Sequence, residues 1–173
     1  MLKKLKSLLN KFVSTTIVPE GDTYSMTIKQ LKANAEFMHP VGFYVLAMRL
    51  FKEDKKDESL FWFYIGSIRY RHFLSSIGDD PFHPENELFG KLQFEIGGTI
   101  LDYAGGDPEF WAKQIGEASK WDDDHLNLFF PKTNNPEDLI AVKENIQQLI
   151  AKLLEEKDEI IRQRIENNAE VRV

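Results

Sequence analysis

Phe61-Trp62-Phe63-Tyr64-Ile65-Gly66-Ser67-Ile68-Arg69-Tyr70-Arg71 is the densest aromatic run in this chain of 173 residues. At helical spacing Leu60, Tyr64 and Ile68 form one stripe, Phe61, Ile65 and Phe73 widen it, and Trp62 and Phe63 fall on other sides. A helix that is apolar around most of its circumference must be covered on several sides, so residues 58–74 are expected to form a central helix. Gly66 in its middle costs about 1 kcal/mol relative to Ala. A neighbouring helix approaching closely at that point accounts for it.

Working outward, Val41 to Phe51 places Phe43, Leu46, Ala47 and Leu50 on one helical face, and the polar Lys52–Asp57 stretch reads as an antiparallel turn. Together these segments make a central hairpin over residues 40–75. Pro40 disfavours a helical His39 and so closes a preceding helix, 27–38, whose inner side is Ile28, Leu31, Ala35 and Met38. After a Gly/Pro-rich loop, residues 85–103 predict a helix that Gly97-Gly98 kinks or brings into a tight crossing. Gly105-Gly106-Asp107-Pro108 then stops one helix and caps the next, which runs to about Lys120. Trp121 to Pro131 reads as irregular. Asn135-Pro136 opens a long C-terminal helix, 136–166, striped by Leu139, Val142, Ile146, Leu149, Ile150 and Leu153. Its far end, past Glu155, is expected to project from the body or to pair with another chain in self-association. No segment alternates as a strand does. The expected fold is all-α: one domain, residues 1–173, a compact bundle of roughly six to seven helices around the aromatic hairpin.

Lys3, Lys4, Lys6 and Lys11 lie in the first twelve residues with no acid among them. With Leu2, Leu5, Leu9 and Phe12 opposite, residues 1–13 predict a basic amphipathic helix that lays its leucines on the core, with attachment to a membrane surface as the alternative. Asn10 and Lys11 interrupt the apolar run a secretory signal needs, and no stretch reaches the ~20 apolar residues of a membrane span. The net charge is −6, and setting those four lysines aside leaves 18 basic against 28 acidic residues, or −10. So acidic a body repels phosphate backbones and attracts basic partners, which speaks against nucleic acid. The absence of cysteine removes disulfides and thiolate chemistry and fits a reducing, cytoplasmic setting.

The hairpin Phe43-Tyr44-Val45-Leu46-Ala47, a lysine-rich turn, then Glu58-Ser59-Leu60-Phe61-Trp62-Phe63-Tyr64, resembles one unit of the tetratricopeptide and Sel1-like repeats. The resemblance is local, and no second copy stands at a repeat period. The Phe-Trp-Phe-Tyr-x-Gly-x-x-Arg-Tyr-Arg run looks like a motif of little-characterised bacterial proteins, which implies a bacterial source and no particular activity.

Chemistry is sparse. Glu36-x-x-His39 has di-iron spacing but occurs once, and His72, His83 and His125 have no paired ligand nearby. No nucleophile elbow and no phosphate-binding loop is present, so neither a cofactor, a metal nor catalysis is expected. Arg69 and Arg71 within an aromatic helix point to a buried ion pair, with Asp102 the expected partner, or to a ligand site. Asp79-Asp80 and Asp122-Asp123-Asp124, expected in loops, could form an acidic docking surface with Trp121 and Phe129 as aromatic anchors. The expected function is therefore non-enzymatic protein binding, most concretely by an immunity protein that neutralises a basic interbacterial toxin. An adaptor or chaperone of the tetratricopeptide kind, or a small-ligand-binding or enzymatic bundle using Arg69 and Arg71, are the alternatives.

Overall fold

The computed structural model describes residues 23–77, 82–130 and 136–173. The N-terminal segment 1–13, Asp79, Asp80 and the capping Asn135 lie outside the described residues. Every regular element among those described is helical: α1 Ile28–Ala33, α2 Val41–Lys52, α3 Lys56–Ser76, α4 Pro84–Leu92, α5 Gly98–Gly105, α6 Pro108–Asp124, α7 Pro136–Glu155 and α8 Lys157–Glu166. No helix among the described residues is long and apolar enough to cross a membrane.

The aromatic run is the middle of α3, and α2, α5, α6 and α7 all pack on it. Leu60, Phe63, Ile65, Arg69 and Tyr70 are all buried, and each large apolar side chain removed from water contributes about 1.5–3 kcal/mol. At Gly66 α2 comes close: a Cβ there would stand 2.7 Å from the Cβ of Phe43. Ser59 donates its hydroxyl to the Ala47 carbonyl at 2.6 Å, tying the two arms of the hairpin together near the turn.

The turn closes without glycine. Lys55 N–H donates to the Leu50 carbonyl (2.9 Å) and Asp54 N–H to that of Phe51 (3.2 Å), the paired bonds of a Schellman cap. Asp54 takes the left-handed position at φ 61. Asp107 accepts from the Phe110 amide at 2.9 Å and Pro108 occupies the first position of α6, the stop-and-start expected from Gly105 to Pro108.

Three expected boundaries move. The helix over 27–38 stops at Ala33. Pro40 has no N–H to offer the Glu36 carbonyl, and that carbonyl instead accepts from Leu128 N–H at 2.7 Å. Residues 84–105 are interrupted by a π-helical turn, Gln93–Gly97. The Gln93 side chain, on this turn, donates to the Tyr44 hydroxyl (2.8 Å) and to Ser67 Oγ (3.0 Å), and Gly97 passes the Phe63 ring closely, a Cβ there standing 3.1 Å from it. The C-terminal helix is divided at Glu156, whose ψ of 4° leaves the helical range. Its far end does not project: Lys157 pairs with Glu109 and Arg164 with Asp102, so α8 folds back over α5 and α6.

Candidate functional site

Arg69 is fully buried on α3. Its Nε donates to the Asp122 carboxylate at 2.8 Å, Nη1 to the Ala35 carbonyl at 2.8 Å, and Nη2 to the Leu126 carbonyl at 3.0 Å. The Phe43 and Trp121 rings lie 5.4 and 5.0 Å from the guanidinium carbon. All three nitrogens thus donate to protein oxygens and aromatic rings close around the group. The site is a sealed ionic node joining α3, α6, the 34–40 turn and the 125–130 segment.

This geometry corrects two expectations. Asp102 is not the partner of Arg69 or Arg71; it pairs with Arg164 at 3.0 Å on the surface. α5 buries Ile100 and Ala104, which places Asp102, two residues from each, on the opposite side of the helix. Asp122 is not part of an exposed acidic loop. α6 continues to Asp124, and the Asp122 carboxylate is drawn under Arg69, where its oxygen also comes within 3.8 Å of His72 Nδ1.

The remaining acids stay outside. Asp123 pairs with Lys143 at 2.7 Å and Asp124 with Lys120, both at the surface. The expected aromatic anchors are half-buried. Trp121 stacks on His125 at 4.0 Å and meets Trp62 edge-on, while Phe129 packs against His39 (4.8 Å) and Phe73 (5.6 Å). The exposed apolar groups beside them are Phe37 (60% exposed), Leu126 (63%) and Leu128 (45%). They sit on the two backbone segments that Arg69 and the Leu128–Glu36 hydrogen bond hold side by side. Phe37 had one sequence signal, its position off the Leu31–Ala35–Met38 stripe. Leu126 and Leu128 had none, because their exposure depends on which carbonyls Arg69 takes.

Arg71 lies apart from this node. It donates to the Ser67 hydroxyl and covers the Phe89 ring at 5.3 Å. Nearby, Trp111 donates to the Tyr64 hydroxyl at 2.7 Å, and burial pushes the Tyr64 pKa up to about 12. A second buried node adjoins Phe129. There Tyr70 donates to Glu85, and His39 Nε2 stands 3.9 Å from the same carboxylate. His39 Nδ1 accepts from the Val41 amide at 3.2 Å, and burial lowers its pKa to about 4, so the ring is neutral near pH 7. Among the described residues no three His, Asp or Glu side chains are grouped to hold a metal ion. No protein-family model matches the chain, no curated protein matches it, and no solved structure matches its fold.

Proposed function

We propose that the protein works by binding another protein, through the edge where Phe37, Leu126 and Leu128 stand beside Asp123 and Asp124. One observation carries the reading: three large apolar side chains are exposed on two segments that Arg69 fastens from beneath, and one of those segments follows directly on the exposed carboxylates Asp123 and Asp124. In such a contact apolar anchors supply affinity, and flanking charges steer encounter with a partner of opposite sign. The lysine pairs of Asp123 and Asp124 are surface ion pairs worth about 0–1 kcal/mol each, so a basic partner displaces the lysines at little cost. The sealed surroundings of Arg69 favour this reading over a ligand-binding bundle.

In its most concrete form the protein is a bacterial, cytoplasmic immunity protein that neutralises a basic interbacterial toxin by direct binding. The acidic body supports that form. The test is titration of the purified toxin-like product of a neighbouring gene against the wild type, Leu126→Asp, and the pair Asp123→Asn with Asp124→Asn. Leu126→Asp should weaken binding by at least tenfold, an anchor loss of about 1.4 kcal/mol or more. The asparagine pair should slow association and flatten its salt dependence. Unchanged binding by folded variants removes this edge. A neighbouring product that does not bind the wild type removes the immunity form.

A further inference from the structure

After α8 the chain reverses at Asn168, which takes the left-handed conformation at φ 54, and residues 169–173 return across the body. The tail is seated at defined points. Arg164 Nε donates to the Glu170 carbonyl at 2.8 Å, and the Arg172 amide donates to the Gly106 carbonyl at 2.8 Å. The Arg172 guanidinium lies 3.6 Å from the centre of the Tyr103 ring, and its Nη2 donates to the Tyr103 carbonyl at 2.8 Å. Its Nη1 stands 4.0 Å from the Asp57 carboxylate, which also accepts from the Tyr103 hydroxyl at 2.6 Å and so fixes the ring. Gly106 makes the fit possible: a Cβ there would stand 3.0 Å from Arg172 Nε and 3.1 Å from the Glu170 carbonyl oxygen.

We infer that the groove between the α2–α3 turn and the end of α5 is a docking site for an extended, arginine-bearing segment of a partner, and that the chain's own tail occupies it as a competing ligand. The inference rests on the protein-binding reading and specifies what a basic partner would present. An aromatic platform, a carboxylate and two backbone carbonyls converge on one guanidinium and the peptide that carries it, which is the chemistry of arginine recognition. The tail fills this site imperfectly. The buried Arg172 Nε meets no acceptor among the described residues. Beside it the groove continues as an open space of about 450 Å³ lined by Asp54, Lys55, Lys56, Asp57 and Glu58, where Lys56 pairs with Asp54 at 3.4 Å and Glu58 with Lys32. A segment that brings its guanidinium closer to those carboxylates would displace the tail. Occupation of a site by a tethered competitor lowers apparent affinity in proportion to the fraction of time the site is free.

The probe is a fluorescent peptide, acetyl-Ala-Glu-Val-Arg-Val-amide, titrated against the full chain and against Arg172→Ala. We expect binding to Arg172→Ala about tenfold or more tighter than to the wild type, because the competing guanidinium is gone. An otherwise identical peptide with alanine in place of arginine should not bind, and adding Tyr103→Leu to Arg172→Ala should abolish binding. No saturable binding to a folded Arg172→Ala chain, equal binding to it and the wild type, or equal binding of the two peptides overturns the inference. Hydrogen exchange of the wild type provides a readout that needs no variant. Excess arginine peptide should speed exchange of the Arg172 amide, and unchanged protection also overturns the inference. Failure here leaves the Phe37–Leu126 edge standing, since that edge is tested by its own substitutions.

Discussion

Asp122 and Asp123 are adjacent acids with opposite fates, and the difference is one helical step. α6 turns by roughly 100° per residue, so Asp122 faces α3 and the buried Arg69 while Asp123 faces Lys143 and water. Removing one member of a buried pair leaves the other charged and uncompensated. Asp122→Ala should therefore cost about 3–5 kcal/mol, read from the midpoint of urea unfolding. Arg69→Met together with Asp122→Leu should recover a large part of that loss, because neither charge then remains buried. A loss below about 1 kcal/mol for the single change would mean that Arg69 draws its compensation from the Ala35 and Leu126 carbonyls instead. That a guanidinium was buried in the aromatic run was legible in the sequence. Its partner was not: any of 28 acids could serve until the path of α6 was known.

Among the helices, glycines decide how close two of them come. Gly66→Ala should gain about 1 kcal/mol of helix propensity but place a methyl 2.7 Å from the Phe43 Cβ, an atom close to the backbone that cannot swing away. Overpacking of this kind costs about 1–3 kcal/mol, so the variant should be no more stable than the wild type and up to about 2 kcal/mol less so. Gly98→Ala is the contrasting case. A Cβ there meets nothing within 4 Å, and the change should stabilise by up to about 1 kcal/mol. Thermal unfolding of the two variants measures both signs, and a Gly66→Ala chain more stable than Gly98→Ala would refute the close approach of α2. The break at Glu156 belongs to the same scale. Residues 154–158 contain neither Pro nor Gly, so nothing local announces it, and the contacts made by Lys157 and Arg164 appear only once α5 and α6 are in place.

For the whole molecule the pH response follows from His39. Burial outweighs the nearby Glu85 carboxylate and holds the His39 pKa at about 4, against 6.5 when the ring is free. Between those values the unfolded chain binds a proton that the folded chain refuses. Stability should therefore fall as pH drops from about 6.5 towards 4 and level off below, by up to about 3 kcal/mol from this ring. Urea midpoints at pH 7 and 4.5 measure the slope. His39→Asn, which keeps an acceptor near the Val41 amide and cannot titrate, should flatten it. Equal slopes in the two proteins would place the acid sensitivity elsewhere. Tyr70 donates its hydroxyl to Glu85, so the same node also links α3 to α4.

What the amino-acid order determined was the set of local and periodic features. It specified the all-helical class, the aromatic hairpin as the centre, the close crossing at Gly66 and the cap at Asp107 with Pro108. Each depends on backbone preference or on side-chain periodicity within a few residues. What only the tertiary structure decided was pairing over long sequence distances: Arg69 with Asp122, Asp102 with Arg164, the Leu128 amide with Glu36, and Arg172 with Tyr103. Charges and carbonyls of one kind are interchangeable along a chain, and only the packing of helices selects which of them meet. The apolar edge at Phe37 and Leu126 and the groove under the tail arise at that level, so the surfaces proposed for partners had to be read from the folded molecule.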